Sequence, residues 1–230
     1  MWNIFSMEQL KVLYEDNHLI AVWKDAGVLT QSDRSGIQSL FDKVKIYLKE
    51  KYKKPGNIFL GLLHRLDRPV AGIILFAKTS KGASRLSEQF RERTLSKKYY
   101  AVVEGSFFQK NGALVHMIEK RETMNGGQRA KIMKNRGDRA ELSYETIRSS
   151  KDRSLLRINL KTGKFHQIRA QLSAEGHPII NDIKYGGHQA PQFPEDAVAL
   201  AACELSFTTA TDNKYISLRR PYPKEWDTIV

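Results

Sequence analysis

Leu156, Ile158 and Leu160 alternate with Arg157, Asn159 and Lys161, a period of two that suits a half-buried strand. The pattern extends backwards through residues 114–147. There Asn125-Gly126-Gly127 and Asn135-Arg136-Gly137-Asp138 provide turns for antiparallel hairpins. A chain with hairpins at its centre is not a strictly alternating strand–helix protein. Residues 10–14 and 18–24 read as further strands, joined by the polar turn Glu15-Asp16-Asn17. The continuous apolar run Ile73-Ile74-Leu75-Phe76-Ala77 suits a strand buried on both faces. Residues 99–103, 198–207 and 215–218 complete the strand set.

Three helices are expected. The first starts at Ser35, with Gln38 placed for a capping box. Its apolar stripe is Ile37, Leu40, Phe41, Val44, Tyr47 and Leu48, and Lys43, Lys45 and Lys49 lie opposite. The second is capped by Thr79 or Ser80 and buries Ala83, Leu86 and Phe90. The third covers 164–174, with Phe165, Ile168 and Leu172 inward and His166 and Arg169 on an adjacent face. Gly176 and Pro178 stop it. The expected class is therefore α+β on a mixed, largely antiparallel sheet, in one continuous domain over residues 1–230.

Charge narrows the class of partner. The chain has 38 Lys and Arg against 25 Asp and Glu, a formal charge of +13. Such an excess favours polyanions. The single cysteine, Cys203, excludes an internal disulfide and a multi-cysteine metal site, and its apolar surroundings suggest an inert thiol in a reducing compartment. No secretory signal is visible, and no apolar run approaches the ~20 residues of a spanning helix. The expected location is the cytoplasm. There is no phosphate-binding Gly-rich loop with lysine, no dinucleotide fingerprint and no His-Glu-x-x-His pair. His64, His166 and His177 lack metal-ligand spacing, so neither a metal nor another cofactor is expected.

The most informative local feature is the run His64-Arg65-Leu66-Asp67-Arg68-Pro69-Val70-Ala71-Gly72, directly ahead of the apolar strand. By itself, an Asp before Arg-Pro reads as a turn residue or a surface ion-pair partner. Other segments change that reading by their order. Leu19 to Gly27 precedes the run. Lys97-Lys98-Tyr99-Tyr100-Ala101-Val102-Val103-Glu104-Gly105 follows it. Then come Thr162-Gly163-Lys164-Phe165-His166-Gln167-Ile168-Arg169 and Gly176-His177-Pro178-Ile179-Ile180-Asn181-Asp182, with Tyr185-Gly186 beyond. The apolar strand from Leu200 to Phe207 and Pro221 close the series.

Taken together, residues 10–223 resemble the RluA-type family of RNA pseudouridine synthases. The chain departs from the family pattern in four places. Asp25 stands where proline is usual, Val70-Ala71 where Thr-Ser is common, Lys164-Phe165 where Arg-Thr is usual, and Asn181 where Gly is usual. These lie beside the presumed catalytic positions and bear on substrate choice more than on reaction type.

The resemblance implies a catalytic domain with its site in a cleft across a mixed sheet, working without metal. It makes Asp67 the essential carboxylate, Arg169 its cationic partner and Tyr99 the ring against the target uracil. The reaction breaks the N1–C1′ bond of uridine and rejoins the ribose to C5 of the same base. As an isomerisation it consumes no redox cofactor. A carboxylate can serve as nucleophile or base. Attack on the sugar, attack on the ring and removal of a ribose proton all stay open. Paired with a cation, a carboxylate in an RNA-filled cleft keeps its charge, and stacking on a ring contributes about 1–3 kcal/mol per base.

A uridine must leave its stack before C1′ can be reached. Arg65 is then a candidate wedge for the vacated space, with a phosphate contact or a local ion pair as the alternatives. His64, Lys164, His166 and Gln167 are candidate RNA contacts. Residues 120–139 hold Lys120, Arg121, Arg129, Lys131, Lys134, Arg136 and Arg139. Of these, Arg129 and Lys131 are singled out for gripping phosphates, which positions RNA without reading its sequence. The expected partner is structured RNA, either rRNA or tRNA, bound by a monomer that lacks the N-terminal S4 domain of many relatives. Two rivals stand beside this reading. One is a non-catalytic RNA-binding or RNA-folding protein; the other is a glycosidic hydrolase with Asp182 or Glu104 as a second carboxylate.

Overall fold

The run Leu-Ile-Ala-Val-Trp-Lys at 19–24 has no exposed position, as continuous apolar character demands of a central strand. In the computed structural model, residues 10–228 are described apart from 34, 108 and 125, so Asn125 of the expected hairpin turn lies outside the described residues. The chain groups into two compact units, residues up to 95 with 206–218, and 96–205 with 219 onward.

The first unit contains strands β1 (Val12–Glu15), β2 (Leu19–Lys24), β3 (Gly61–Leu62) and β4 (Ala71–Ala77), with helices α1 (Leu40–Tyr52) and α2 (Ser80–Glu92). Strand β2 runs antiparallel to β1 and to β4, and β3 runs antiparallel to β4. Leu19 to Val22 and Ile73 to Ala77 are almost completely buried, joined in the core by Val44 and Leu48 of α1 and Leu86 of α2. Helix α1 starts later than its apolar spacing suggests. Ser39 rather than Ser35 is the N-cap, and Ser39 and Asp42 form the reciprocal capping box. Ile37 is accordingly left 47% exposed, outside the stripe. The Glu15 carboxylate ties β1 to the end of α1, accepting hydrogen bonds from Lys51, Lys78, Tyr47 and Tyr52.

The second unit contains β5 (Ser96–Glu104), β6 (Asn111–Glu122), β7 (Gln128–Met133), β8 (Asp138–Ser149), β9 (Arg153–Leu160) and helix α3 (Gln167–Ala174). β10 (Leu200–Thr208) begins in this unit, and β11 (Tyr215–Arg219) pairs with it. The strand order is β10-β5-β9-β8-β6-β7, with β5/β9, β9/β8, β8/β6 and β6/β7 antiparallel. The expected hairpin around Gly126-Gly127 joins β6 to β7. The turn at 135–137 leads from β7 to β8, which pairs with β6 instead of β7, so it closes no hairpin; the α+β class on a largely antiparallel sheet holds. Helix α3 is shorter than its apolar spacing implies. His166 adopts a left-handed conformation (φ 48°) at the N-cap, so 164–166 form a turn ahead of the helix. Cys203 is fully buried, and burial, with Glu204 beside it, pushes its thiol up to about 12, as an inert group requires.

Candidate active site

Asp67 lies half-buried in the loop between β3 and β4. Its backbone is fixed from both sides. Leu66 and Val70 are apolar anchors, 8% and 2% exposed. The Thr30 hydroxyl donates to the Leu66 carbonyl (2.9 Å) and accepts from its amide (3.3 Å). A turn closes over Asp67 itself, the Val70 amide donating to the Asp67 carbonyl at 3.0 Å.

The turn after β2 holds the other side of this loop. The Gly27 amide donates to the Arg68 carbonyl at 2.9 Å, and Arg68 Nε returns a bond to the Gly27 carbonyl at 2.9 Å. Gly27 has φ 82°, a conformation that favours glycine. Lys24 is completely buried, and its ammonium donates to the carbonyls of Asp25, Val28 and Arg68 at 3.2, 2.8 and 3.0 Å. A buried ammonium is tolerated when its protons meet acceptors. Lys24 thus joins the first sequence motif to the second, a role that sequence reading did not assign. Asp25, the departure from proline, pairs with Lys11 at 2.8 Å and accepts from Trp23 Nε1 at 3.0 Å.

His64 is turned inward. Its Nε2 accepts the Leu75 amide at 3.0 Å, and its ring lies 5.1 Å from that of Phe90. It braces the loop against β4 and α2. Arg65, next to it, is exposed.

In the second unit, Arg169 is 4% exposed and Asp182 1%. Arg169 Nε and Nη2 donate to the two oxygens of Asp182, each at 2.7 Å, in a fork-to-fork pair. Asp182 belongs to a tight turn. Its amide donates to the Ile179 carbonyl at 3.1 Å, and its carbonyl accepts the Gly187 amide at 2.9 Å. A Cβ at Gly187 would fall 2.1 Å from the Ile179 carbonyl oxygen, so no other residue closes the turn this tightly. Asn181 has φ 66°, which explains the departure from glycine there. Asn is among the few side chains that tolerate this region, and its amide group bonds the Pro194 carbonyl and the Ala190 amide.

Tyr185 completes the surroundings of Arg169, whose guanidinium carbon is 5.0 Å from the ring centroid. His166 Nδ1 lies 2.9 Å from the Tyr185 hydroxyl, and its ring stacks on Phe165 at 3.8 Å. Burial, with Arg169 and Lys184 nearby, pulls the imidazole down to about 3, so it is neutral at pH 7. Tyr99 is buried on β5 opposite Ile158 of β9. By strand alternation it faces away from Tyr100, whose hydroxyl donates to Glu204 at 3.1 Å.

Gln167 departs from expectation. It is 3% exposed; its Oε1 accepts from Thr162 Oγ1 and the Lys164 amide, and its Nε2 donates to the Glu141 carbonyl. Its amide shapes the 162–164 turn and is buried away from any RNA. Lys164 pairs with Asp138 at 3.0 Å. The basic hairpin is also more neutralised than its composition suggests. Glu119 takes Arg121 and Arg136, and Glu141 takes Arg139. Arg129 and Lys131 are exposed on β7, with no ion pair among the described residues.

Among the described residues there is no cluster of His, Cys, Asp and Glu able to hold a metal ion, and no helix is long and apolar enough to cross a membrane.

The sequence profile of the family described as RNA pseudouridylate synthase matches residues 18–174, a span that includes Asp67, Tyr99 and Arg169. The tRNA pseudouridine synthase C of Haemophilus ducreyi is 30% identical over 96% of this chain and 94% of its own. The ribosomal large subunit pseudouridine synthase D of Zymomonas mobilis is 27% identical over 96% of this chain and 71% of its own. Among solved structures, human RNA pseudouridylate synthase domain containing 4 superposes with a TM-score of 0.75. It is 20% identical and covers 94% of this chain and 90% of its own, a likeness of fold. A half-buried carboxylate on a clamped loop and a buried guanidinium held by Asp182 thus sit inside the matched span, and the chain belongs to the RluA-type family of RNA pseudouridine synthases.

Proposed function

We propose that the protein isomerises uridine to pseudouridine in a structured rRNA or tRNA, with Asp67 as the catalytic carboxylate, Arg169 as its cationic partner and Tyr99 as the ring against the target base. The observation that carries this reading is the Asp67 loop. Four hydrogen bonds with Thr30, Gly27 and Lys24 hold the backbone of Leu66 and Arg68, on both sides of the carboxylate, while the side chain itself is only half-buried. Such pre-organisation suits a group that must meet the target nucleoside in one orientation.

The proposed sequence of events is short. The target uridine leaves its stack, and Arg65 fills the space. Asp67 acts on the extruded nucleoside as the N1–C1′ bond breaks, the uracil turns on Tyr99, and C5 joins C1′. The C5 proton is lost, and N1 gains one. Arg129 and Lys131 grip flanking phosphates, with Lys164 at the base of the same hairpin. The enzyme is expected to work as a cytoplasmic monomer without metal.

The hydrolase rival needs a second available carboxylate. Asp182 has both oxygens on Arg169, and Glu104 has its oxygens on the amide and ring of His188. The test is tritium release from RNA labelled at C5 of uridine, taken from cells lacking the protein. Release with the base retained in the strand supports the synthase. Free uracil would indicate the hydrolase, and RNA binding without release a non-catalytic binder.

A further inference from the structure

Tyr185 has more connections than a core-filling tyrosine requires. It ends the short helical turn Ile183–Tyr185 directly after Asp182 and is 2% exposed. Its carbonyl accepts a hydrogen bond from Ser173 of α3. Its hydroxyl oxygen accepts the Ala130 amide of β7 at 2.8 Å, and His166 Nδ1 lies 2.9 Å away on the other side. The Ala130 amide and the His166 ring nitrogen thus hold the hydroxyl from two sides.

The ring is used as well. The guanidinium carbons of Arg169 and Arg129 lie 5.0 and 4.8 Å from its centroid, both within cation–π range. Arg169 is the buried, Asp182-bound cation, whereas Arg129 is one of the exposed cations on the hairpin. β7 is the last strand of its sheet path, so its outward amides have no neighbouring strand to pair with. Ala130 is 3% exposed and gives its amide to Tyr185 instead. Between the hairpin and α3 runs an open groove of about 510 Å³, lined by Arg121, Arg129, Lys131, Ile132, Ala170 and Tyr185.

We infer that Tyr185 is a positioning residue for the reaction, holding the Arg169 guanidinium on the Asp182 fork with its ring and registering the β6–β7 hairpin against that guanidinium with its hydroxyl. This rests on the reading of Arg169 as the partner of Asp67. The fork fixes the guanidinium within its own plane. The Tyr185 ring acts on it through a different kind of contact and resists rotation about the fork. The hydroxyl then makes the seating of β7, and the cations that β7 carries, part of the same buried network. Burial pushes the phenol up to about 12, so the hydroxyl keeps its proton and its bond to His166 at working pH.

Two variants separate the parts. Tyr185→Phe keeps the ring and loses the hydroxyl; Tyr185→Leu loses both. The readouts are kcat and KM for tritium release from C5-labelled RNA of cells lacking the protein, the exchange rate of the Ala130 amide, and the NMR signal of Arg169 Nε–H. Tyr185→Phe should speed Ala130 exchange and lower kcat about 2–10-fold, the worth of one hydrogen bond. Tyr185→Leu should lower kcat by roughly a further tenfold, the worth of a desolvated cation–π contact, and broaden or shift the Arg169 signal. KM should change less than twofold in both. Tyr185→Phe leaves the core volume intact, so it tests the hydroxyl even where Tyr185→Leu folds poorly. Unchanged kcat and Ala130 exchange in Tyr185→Phe would overturn the inference, as would losses in both variants that merely follow the fraction folded. An Asp67→Asn control separates the two layers: if that variant still releases tritium, the assignment of the site itself is at fault.

Discussion

Asp67 and Arg169 carry opposite charges and are held in opposite ways. The Asp67 loop is fixed through its backbone. Thr30, Gly27 and Lys24 bond the carbonyls and amides of Leu66 and Arg68, and the carboxylate is left half-buried. Arg169 is fixed through its side chain, by a carboxylate fork and a ring, and is almost completely buried. The first arrangement sets the direction of a side chain through the peptide on either side of it. The second makes a charge permanent, because a buried guanidinium without its carboxylate is severely destabilised.

The strongest attack on this contrast is Asp67→Asn. It should reduce turnover by about 10³-fold or more while leaving the thermal midpoint and RNA affinity close to wild type, as calorimetry and filter binding would read. Equal losses of stability and turnover would mean that the loop depends on the carboxylate after all. Asp182→Asn should behave in the reverse sense. Removing one charge of a buried pair costs about 3–5 kcal/mol, visible as a lower urea midpoint, and turnover falls with it. Lys24→Met tests the backbone clamp. Leaving buried carbonyls without donors costs about 1–3 kcal/mol, and the loss should appear as faster amide exchange at Val70 and lower kcat.

The two units should also titrate differently. Burial raises the Glu15 carboxyl, but hydrogen bonds from Lys51, Lys78, Tyr52 and Tyr47 outweigh it and hold the group at about 2. This depressed acid adds stability above its ordinary value of 4.5, and that stability is lost as pH falls towards 2. His166, kept neutral at about 3 against an ordinary 6.5, also loses stability on acidification, but the loss begins near pH 6.5. Amide exchange against pH should therefore show the second unit loosening first. Glu15→Gln and His166→Asn should each flatten only its own window. The smallest expected effect belongs to the hairpin. Lys131→Ala should lower RNA affinity uniformly and reduce the slope of log K against log salt by about 1. An unchanged slope would remove Lys131 from the phosphate contacts.

How much of this was legible in the sequence differs between the two regions. The β2 and β4 runs and the β6–β7 hairpin announce themselves, because burial and pleat write their period directly into neighbouring residues. The turn at 135–137, by contrast, looks like a second hairpin and is not, since β8 pairs with β6. Helix starts were less legible. Ser35-Gly36-Ile37-Gln38 has the right letters for a capping box, but Ser39 and Asp42 form it, since two overlapping candidates differ only in three-dimensional closure. Gln167 stands in the fourth motif as a candidate RNA contact. It is buried because the 162–164 turn needs its amide. Lys24 and Tyr185 stood inside recognised segments without an assigned role. Nothing in their local spacing says that a lysine will bridge to Arg68, 44 residues away, or a tyrosine to Ala130, 55 away.

The sequence alone determined most of the strands, the α+β architecture and the family, and it singled out the carboxylate proposed as catalytic, because each of these is written in short-range pattern or in ordered motifs. Only the tertiary structure decided which groups hold Asp67 and Arg169. A hydrogen bond is a matter of ångströms and angles between atoms that the chain brings together from distant positions, and no local pattern of residues encodes those distances.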